Sequence, residues 1–318
     1  MNSILLVGAG NIGSRYLSGL AKIKSKIKIL VIEPSLDAQK LAVKRWIEAG
    51  GDQTGNSIEY YKDFNFDNFF VDIAIVSISS KDRAKIINKI FIKTKPQYWI
   101  IEKVLAQSKN ELDLIVNITD KSKGAWVNTS RRLMEWHQKL KIYFQDQKPF
   151  NVYKKGNLWG LACNSIHFID LVSWWTGESL LSVSTNELDR KWFESKRPGY
   201  YEITGKLVAK FSKGSQLTLD SSSANFENII KVSLLNGDEW SIDEENGSAY
   251  KNNKIFVDGR VEFQSELTPK LVNDILTYGA CSLPSVKESY QQHLIFLNAL
   301  TKHWLKYSGS NLKTIPIT

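Results

Sequence analysis

The sequence predicts an α/β protein in two parts, a doubly wound parallel sheet followed by an α/β domain with a large, mainly antiparallel sheet. Three observations carry this expectation. Short apolar runs alternate with helical patterns through the first third of the chain, the signature of parallel strands covered by helices. From about Phe150 the texture changes to alternating segments joined by Lys213-Gly214, Asn236-Gly237, Asn246-Gly247 and Asp258-Gly259, dipeptides that tolerate positive φ in tight hairpins. A glycine-rich loop, Gly8-Ala9-Gly10-Asn11-Ile12-Gly13, separates the first apolar run from the first helical pattern.

In order, strands are expected over residues 3–7, 27–32, 57–61, 73–78, 98–101 and 125–128, with helices over 11–22, 36–48, 81–93 and 109–121 between them. The last of these helices opens with Ser108-Lys109-Asn110-Glu111, a capping-box pattern. A helical stretch over 164–176 ends at Gly177, a C-cap residue. Alternating strands follow over 201–211, 216–221 and 229–235, read as an antiparallel meander. A long amphipathic helix over 287–307 closes the chain, packing over that sheet or crossing back to the first domain. With no Pro-rich linker, the boundary is tight and near residues 120–130.

Composition excludes several classes. At 318 residues, 42% hydrophobic and 24% charged, the chain is an ordinary globular protein rather than a collagen-like, disordered or coiled-coil one. Two distant cysteines, Cys163 and Cys281, do not make a disulfide scaffold or a Cys-rich zinc module, and they suit a reducing compartment. No signal-peptide pattern opens the sequence and no apolar run approaches the ~20 residues of a membrane span, so a cytoplasmic protein with no membrane association is expected. The formal charge of +9 comes from lysines scattered along the whole chain, which argues against a nucleic-acid stripe and leaves an anionic small substrate open.

The glycine loop carries the first functional reading. It fits G-x-G-x-x-G at a strand-to-helix turn: Gly8 makes the tight turn, Gly10 admits a pyrophosphate, and Gly13 allows close helix–strand packing. Asn11 and Ile12 lie inside the loop, where the helix N-terminus offers unpaired N–H groups to phosphates. Glu33 ends the second strand about twenty residues after Gly13, placed to accept hydrogen bonds from an adenosine ribose. A carboxylate there repels the 2′-phosphate of NADP, and Pro34-Ser35 brings no compensating arginine, so NAD is expected over NADP. Residues 1–124 are therefore read as a dinucleotide-binding Rossmann domain, and residues 125–318 as a substrate-binding and oligomerisation domain.

Downstream of the loop the chain resembles the glucose-fructose oxidoreductase / inositol dehydrogenase (Gfo/Idh/MocA) family over nearly its whole length. The resemblance rests on Gly8-x-Gly10-x-x-Gly13-x-Arg15, Ile75-Val76-Ser77-Ile78-Ser79, Glu102-Lys103-Val104, Asn128 to Arg132, His167-Phe168-Ile169-Asp170 and the terminal Ile315-Pro316-Ile317-Thr318. It implies hydride transfer between a nicotinamide and a carbinol carbon of a sugar or cyclitol. It further implies cofactor contacts from Ser77, Ile78, Ser79, Glu102 and Lys103, a site lysine at Lys103 and a catalytic histidine at His167. Two departures stand out: Val104 replaces the family's proline, and Cys163 occupies the position, four residues before His167, where many members carry Asp.

The residue chemistry agrees with these roles. A histidine titrates near neutral pH and can exchange a proton with a hydroxyl as hydride moves. Lys103 sits at the carboxyl end of a parallel strand, where open α/β sheets bind ligands, and its ammonium can orient a hydroxyl or polarise a carbonyl. Asn164 and Asp170 share the His167 helix, Arg132 offers a guanidinium fork in the first turn of the helix expected after the sixth strand, and Trp159 offers a face for a sugar ring. These four are the expected substrate contacts. His137, His293 and His303 are read as structural, and no metal site is expected. The function expected is an NAD-dependent oxidoreductase acting on a sugar, sugar acid or nucleotide-linked sugar. The alternative is a non-catalytic sensor or scaffold that binds NAD and a metabolite. A homodimer or homotetramer is expected, because helices suffice for only one face of the antiparallel sheet.

Overall fold

The structure is a computed structural model that describes residues 1–66, 69–147, 149–224, 228–311 and 313–318. In chain order it runs β1 (Asn2–Val7), α1 (Asn11–Leu20), β2 (Ile27–Ile32), α2 (Leu36–Glu48), β3 (Ser57–Tyr61), β4 (Ile73–Val76), α3 (Arg83–Thr94), β5 (Tyr98–Glu102), α4 (Lys109–Thr119) and β6 (Gly124–Asn128). It continues with α5 (Glu135–Phe144), β7 (Phe150–Asn157), α6 (Leu161–Thr176), β8 (Leu180–Leu188), β9 (Phe193–Glu194), β10 (Tyr201–Glu202), β11 (Gly205–Phe211) and β12 (Gln216–Ser222). The remaining elements are β13 (Ile229–Leu234), β14 (Glu239–Asp243), β15 (Ser248–Lys251), β16 (Lys254–Val257), α7 (Gln264–Tyr278) and α8 (Val286–Tyr307).

The chain divides into two compact units. The first comprises Met1–Ala106, Asn110–Leu133 and Glu262–Lys287. Its sheet has the order β3-β2-β1-β4-β5-β6 with every pair parallel, so the strand order reverses between β1 and β4. Ligands of such sheets bind beyond the carboxyl ends at that reversal. The central strands are buried on both faces, which is why β1 and β4 read as unbroken apolar runs. Ser35 caps α2 by accepting the Ala38 amide, and Leu271, Val272 and Ile275 of α7 join the core formed by Tyr16, Leu17 and Leu20 of α1.

The second unit comprises Gln107–Lys109, Met134–Val261 and Glu288–Thr318. Its sheet has eight strands in the order β16-β15-β14-β13-β7-β12-β11-β8, antiparallel except for the β12–β7 pair. The expected meander is therefore interrupted: β7, the first strand of the unit, lies between β12 and β13. The run expected over 201–211 also breaks in two. Tyr201–Glu202 pairs with β9, and Gly205 adopts φ +102 at the start of β11, where a Cβ would stand 2.5 Å from the Glu187 carbonyl oxygen. Arg131 and Arg132 occupy a 3₁₀ turn, Ser130–Leu133, rather than opening a helix, and α5 begins only at Glu135. Among the described residues no helix is long and apolar enough to cross a membrane.

Candidate functional site

In the first unit the glycine loop is built by close approaches. A Cβ on Gly13 would lie 1.9 Å from the Gly8 carbonyl oxygen, so α1 can begin against the end of β1 only with glycine there. Gly8 holds φ +86, and its carbonyl accepts the Ser77 hydroxyl at 2.6 Å, which locks the loop to the end of β4. Gly10 is the N-cap of α1, and no side chain among the described residues caps it. A Cβ at Gly10 would meet nothing within 4 Å, and Ile12 beside it is 40% exposed.

Glu33 is buried at the end of β2. Its Oε2 accepts the Ala9 amide at 2.6 Å and its Oε1 accepts the Ser35 amide at 2.9 Å. Each carboxylate oxygen retains a further lone pair. The glycine cradle, the uncapped helix start and this carboxylate fit a dinucleotide: the amides of α1 would hold the pyrophosphate and Glu33 the adenosine ribose.

The β4 and β5 ends are tied by a residue that sequence reasoning missed. Arg83, 1% exposed, donates from its guanidinium to the carbonyls of Ile78, Glu102 and Val104. It thereby fixes the backbone on both sides of half-buried Lys103, whose peptide bond to Val104 is cis. A signal was present, because Arg83 begins the buried stripe of α3 that continues with Ile87, Ile90 and Thr94. Glu102 Oε1 accepts the Tyr16 hydroxyl at 2.8 Å and the Asn128 amide at 2.7 Å, and Asn128 also donates to Gln264 at 2.8 Å. Burial, reinforced by the Glu102 charge, holds the Tyr16 hydroxyl well above its ordinary value, so it stays protonated and donates. Ser77, Ile78, Ser79 and Glu102 are half-buried around these strand ends, whereas Arg132 is buried within its 3₁₀ turn.

In the second unit the first two turns of α6 present Cys163, Asn164 and His167, partly exposed, between buried Leu161, Ala162, Ser165, Ile166 and Phe168, so the three share one face. The start of α6 is held by Glu202, a residue that sequence reasoning also missed. Its carboxylate accepts the Ala162 amide at 2.7 Å and the Cys163 amide at 3.2 Å, satisfying orphan helix donors and facing the positive end of the helix dipole. Asn164 donates to the Trp159 carbonyl at 2.8 Å, and the Trp159 indole donates to the Asp220 carbonyl at 2.9 Å. Trp159 and Asn164 are thus brought together with the His167 face, whereas Asp170 is 1% exposed within the core. The Cys163 thiol lies 3.5 Å from the Gly160 carbonyl.

The other histidines have structural settings. His293 Nδ1 is 2.8 Å from the Ser289 carbonyl, His303 Nδ1 accepts the Trp192 indole N–H at 3.2 Å, and His137 stacks on Trp136.

No family model matches the sequence, and no curated protein matches it. Solved structures do. GnnA, a UDP-N-acetylglucosamine 3-dehydrogenase from Acidithiobacillus ferrooxidans, superposes with a TM-score of 0.69 at 11% identity, over 94% of this chain and 96% of that one. The chain has the fold of the Gfo/Idh/MocA-type oxidoreductases. A myo-inositol dehydrogenase from Lactobacillus casei, in complex with NAD(H) and myo-inositol, superposes with a TM-score of 0.66 at 14% identity, over 96% and 95% of the two chains. The transcriptional regulator Gal80p from Kluyveromyces lactis superposes with a TM-score of 0.70 at 12% identity, over 99% and 93%. This fold is therefore shared by dehydrogenases and by a regulator.

Proposed function

We propose that the protein is a cytoplasmic NAD-dependent oxidoreductase acting on a carbinol or ketone carbon of a sugar, sugar acid or nucleotide-linked sugar. The observation that carries this reading is the Gly8–Gly13 cradle with Glu33 held at its edge by the Ala9 amide. The first unit binds the dinucleotide, and the second contributes the substrate contacts Trp159 and Asn164; Asp170 and Arg132, both buried, are left out of these contacts. When bound, the nicotinamide supplies hydride acceptance or donation. Lys103 holds the reacting hydroxyl through its ammonium, and His167 takes the hydroxyl proton at its imidazole, returning it in the reducing direction. The Arg83 clasp on the Glu102 and Val104 carbonyls keeps Lys103 in one backbone setting. Titration of NAD by calorimetry, followed by absorbance of the reduced nicotinamide across a panel of sugars and sugar acids, tests this. Turnover on at least one member supports it, and absence of NAD binding overturns it.

A second reading has its own observation. Cys163, a thiol beside the Gly160 carbonyl, stands where a carboxylate would orient His167, and a regulator shares the fold. NAD and metabolite binding without turnover on any panel member would select a sensor or scaffold. We also propose a homodimer or homotetramer. Leu181 on β8 is 60% exposed and Ile255 on β16 is 56% exposed, apolar surface that assembly would cover. Light scattering that gives the monomer mass at every concentration would refute it.

A further inference from the structure

The second unit contains a cavity of about 630 Å³ that the proposed reaction does not use. Arg190, Lys191 and four aromatic rings, those of Trp192, Tyr201, Trp304 and Tyr307, line it together with the turn at residues 308–310. Its aromatic wall is fixed by packing. Trp192 and Trp304 are buried and meet edge to face at 5.2 Å, Tyr201 lies 5.0 Å from Trp304, and the Trp192 indole is anchored on His303. Around Tyr307 the charge is all positive: the Arg190 guanidinium lies 5.9 Å and the Lys306 ammonium 5.0 Å from its ring centroid. Among the described residues no carboxylate pairs with Arg190, Lys191 or Lys306. The effect of these cations reaches the Tyr307 hydroxyl, which Lys306 first and then Arg190 hold below its ordinary value.

We propose that this cavity binds a nucleoside diphosphate, with the base against the Tyr201–Trp304 wall and the phosphates against Arg190 and Lys191, while Lys306 beside Tyr307 adds positive charge. The volume lies within the range of small-molecule sites, roughly 300–1,000 Å³. A base stacks on ring faces whatever its hydrogen-bonding edge, and aromatic platforms beside basic grooves are how single nucleotides are held. Two linked phosphates match the uncompensated cations better than one does, and the Arg190 fork suits paired phosphate oxygens. A bare anion leaves the aromatic wall unused. These residues all belong to the second unit, whereas the glycine loop belongs to the first, so the site is not a restatement of the dinucleotide cradle.

Calorimetric titration with uridine 5′-diphosphate tests the proposal on the full chain in three forms. These are the wild type, an Arg190→Ser/Lys191→Ser variant altered only at exposed side chains, and Gly10→Asp, which places a carboxylate in the phosphate loop where a Cβ meets nothing within 4 Å. The expected result is saturable binding to the wild type and to Gly10→Asp, weakened at least ~10-fold in the double variant. Inorganic phosphate and glucose 6-phosphate serve as competitors and are expected to bind at least ~10-fold more weakly. Absence of binding, unchanged affinity in the double variant, loss of binding in Gly10→Asp, or equal affinity for either competitor would each overturn it.

Discussion

The Glu33 carboxylate accepts the Ala9 amide at 2.6 Å across 24 residues of sequence, so the acid at the end of β2 is also a strut of the glycine loop. Its second oxygen is turned to Ser35, which leaves one carboxylate to serve both the fold and a ribose. NAD should bind at least ~10-fold tighter than NADP, because a 2′-phosphate would meet this buried charge, and ~1.4 kcal/mol is already tenfold. Glu33→Ala should narrow that gap. It should also lower the stability of the nucleotide-free protein by ~1–3 kcal/mol, the cost of stranding a buried amide. Calorimetry with both cofactors and urea denaturation read the two effects. Equal cofactor affinities in the wild type would mean that Glu33 does not meet the ribose.

Arg83 should matter more for folding than any surface arginine. Its guanidinium supplies donors to three loop carbonyls, and removing a donor from a buried acceptor costs ~1–3 kcal/mol each. Arg83→Met, which keeps the apolar stem, should lose at least ~3 kcal/mol in urea denaturation on this count. A loss within ~0.5 kcal/mol, the range of ordinary surface substitutions, would show that the loop holds itself.

Glu202 should set the start of α6. Glu202→Gln keeps an acceptor for the Ala162 or Cys163 amide but removes the charge at the helix start, and should cost ~1 kcal/mol. Glu202→Ala strands both amides and should cost ~2 kcal/mol. Thermal denaturation of the pair gives the ordering, and an alanine variant as stable as the glutamine one would argue against the cap.

Acid should loosen the β13–β14 hairpin. Asp238 accepts the Lys251 ammonium at 2.8 Å, the Tyr143 hydroxyl and the Asn252 amide, contacts that hold its carboxyl down at about 2 from an ordinary 3.8. A depressed carboxylate stabilises the fold above its unfolded pKa, and that stabilisation fades as pH falls from about 4 toward 2. Melting temperatures taken between pH 5 and pH 2 should fall less steeply in Asp238→Asn than in the wild type. Parallel curves would place the acid sensitivity elsewhere.

What the sequence made legible follows the range of each interaction. The parallel sheet was readable because β1, β2 and β4 are buried on both faces and show it as apolar runs, and the glycine loop because its steric demands fall within six residues. The second unit was harder. The place of β7 between β12 and β13 is a long-range pairing that no local pattern encodes, and α7 was missed because Pro269 and a polar first turn dilute its periodicity. The β15–β16 hairpin turns on Asn252 and Asn253, both at positive φ, a conformation that asparagine tolerates better than most residues. At the site, Lys103 and His167 were nameable by position. Their supports were not, because Tyr16 reaches Glu102 across 86 residues and Glu202 reaches Ala162 across 40.

Those two residues carry the sharpest test of the chemistry. Lys103 stands on a backbone clasped by buried Arg83, and His167 lies one turn beyond a helix start tied to Glu202, so each element keeps a support of its own when either side chain is cut back. Lys103→Ala and His167→Ala should therefore still fold and melt in a single cooperative transition. Dinucleotide affinity should persist in both, because the cradle and Glu33 are untouched. Turnover on any active sugar should fall ~10²–10⁴-fold in His167→Ala, the usual size of a general acid–base contribution. Lys103→Arg should recover less than a tenfold part of the Lys103→Ala loss, since a planar fork cannot take the place of a compact ammonium against one hydroxyl. Variants that turn over at wild-type rates would remove both residues from the reaction.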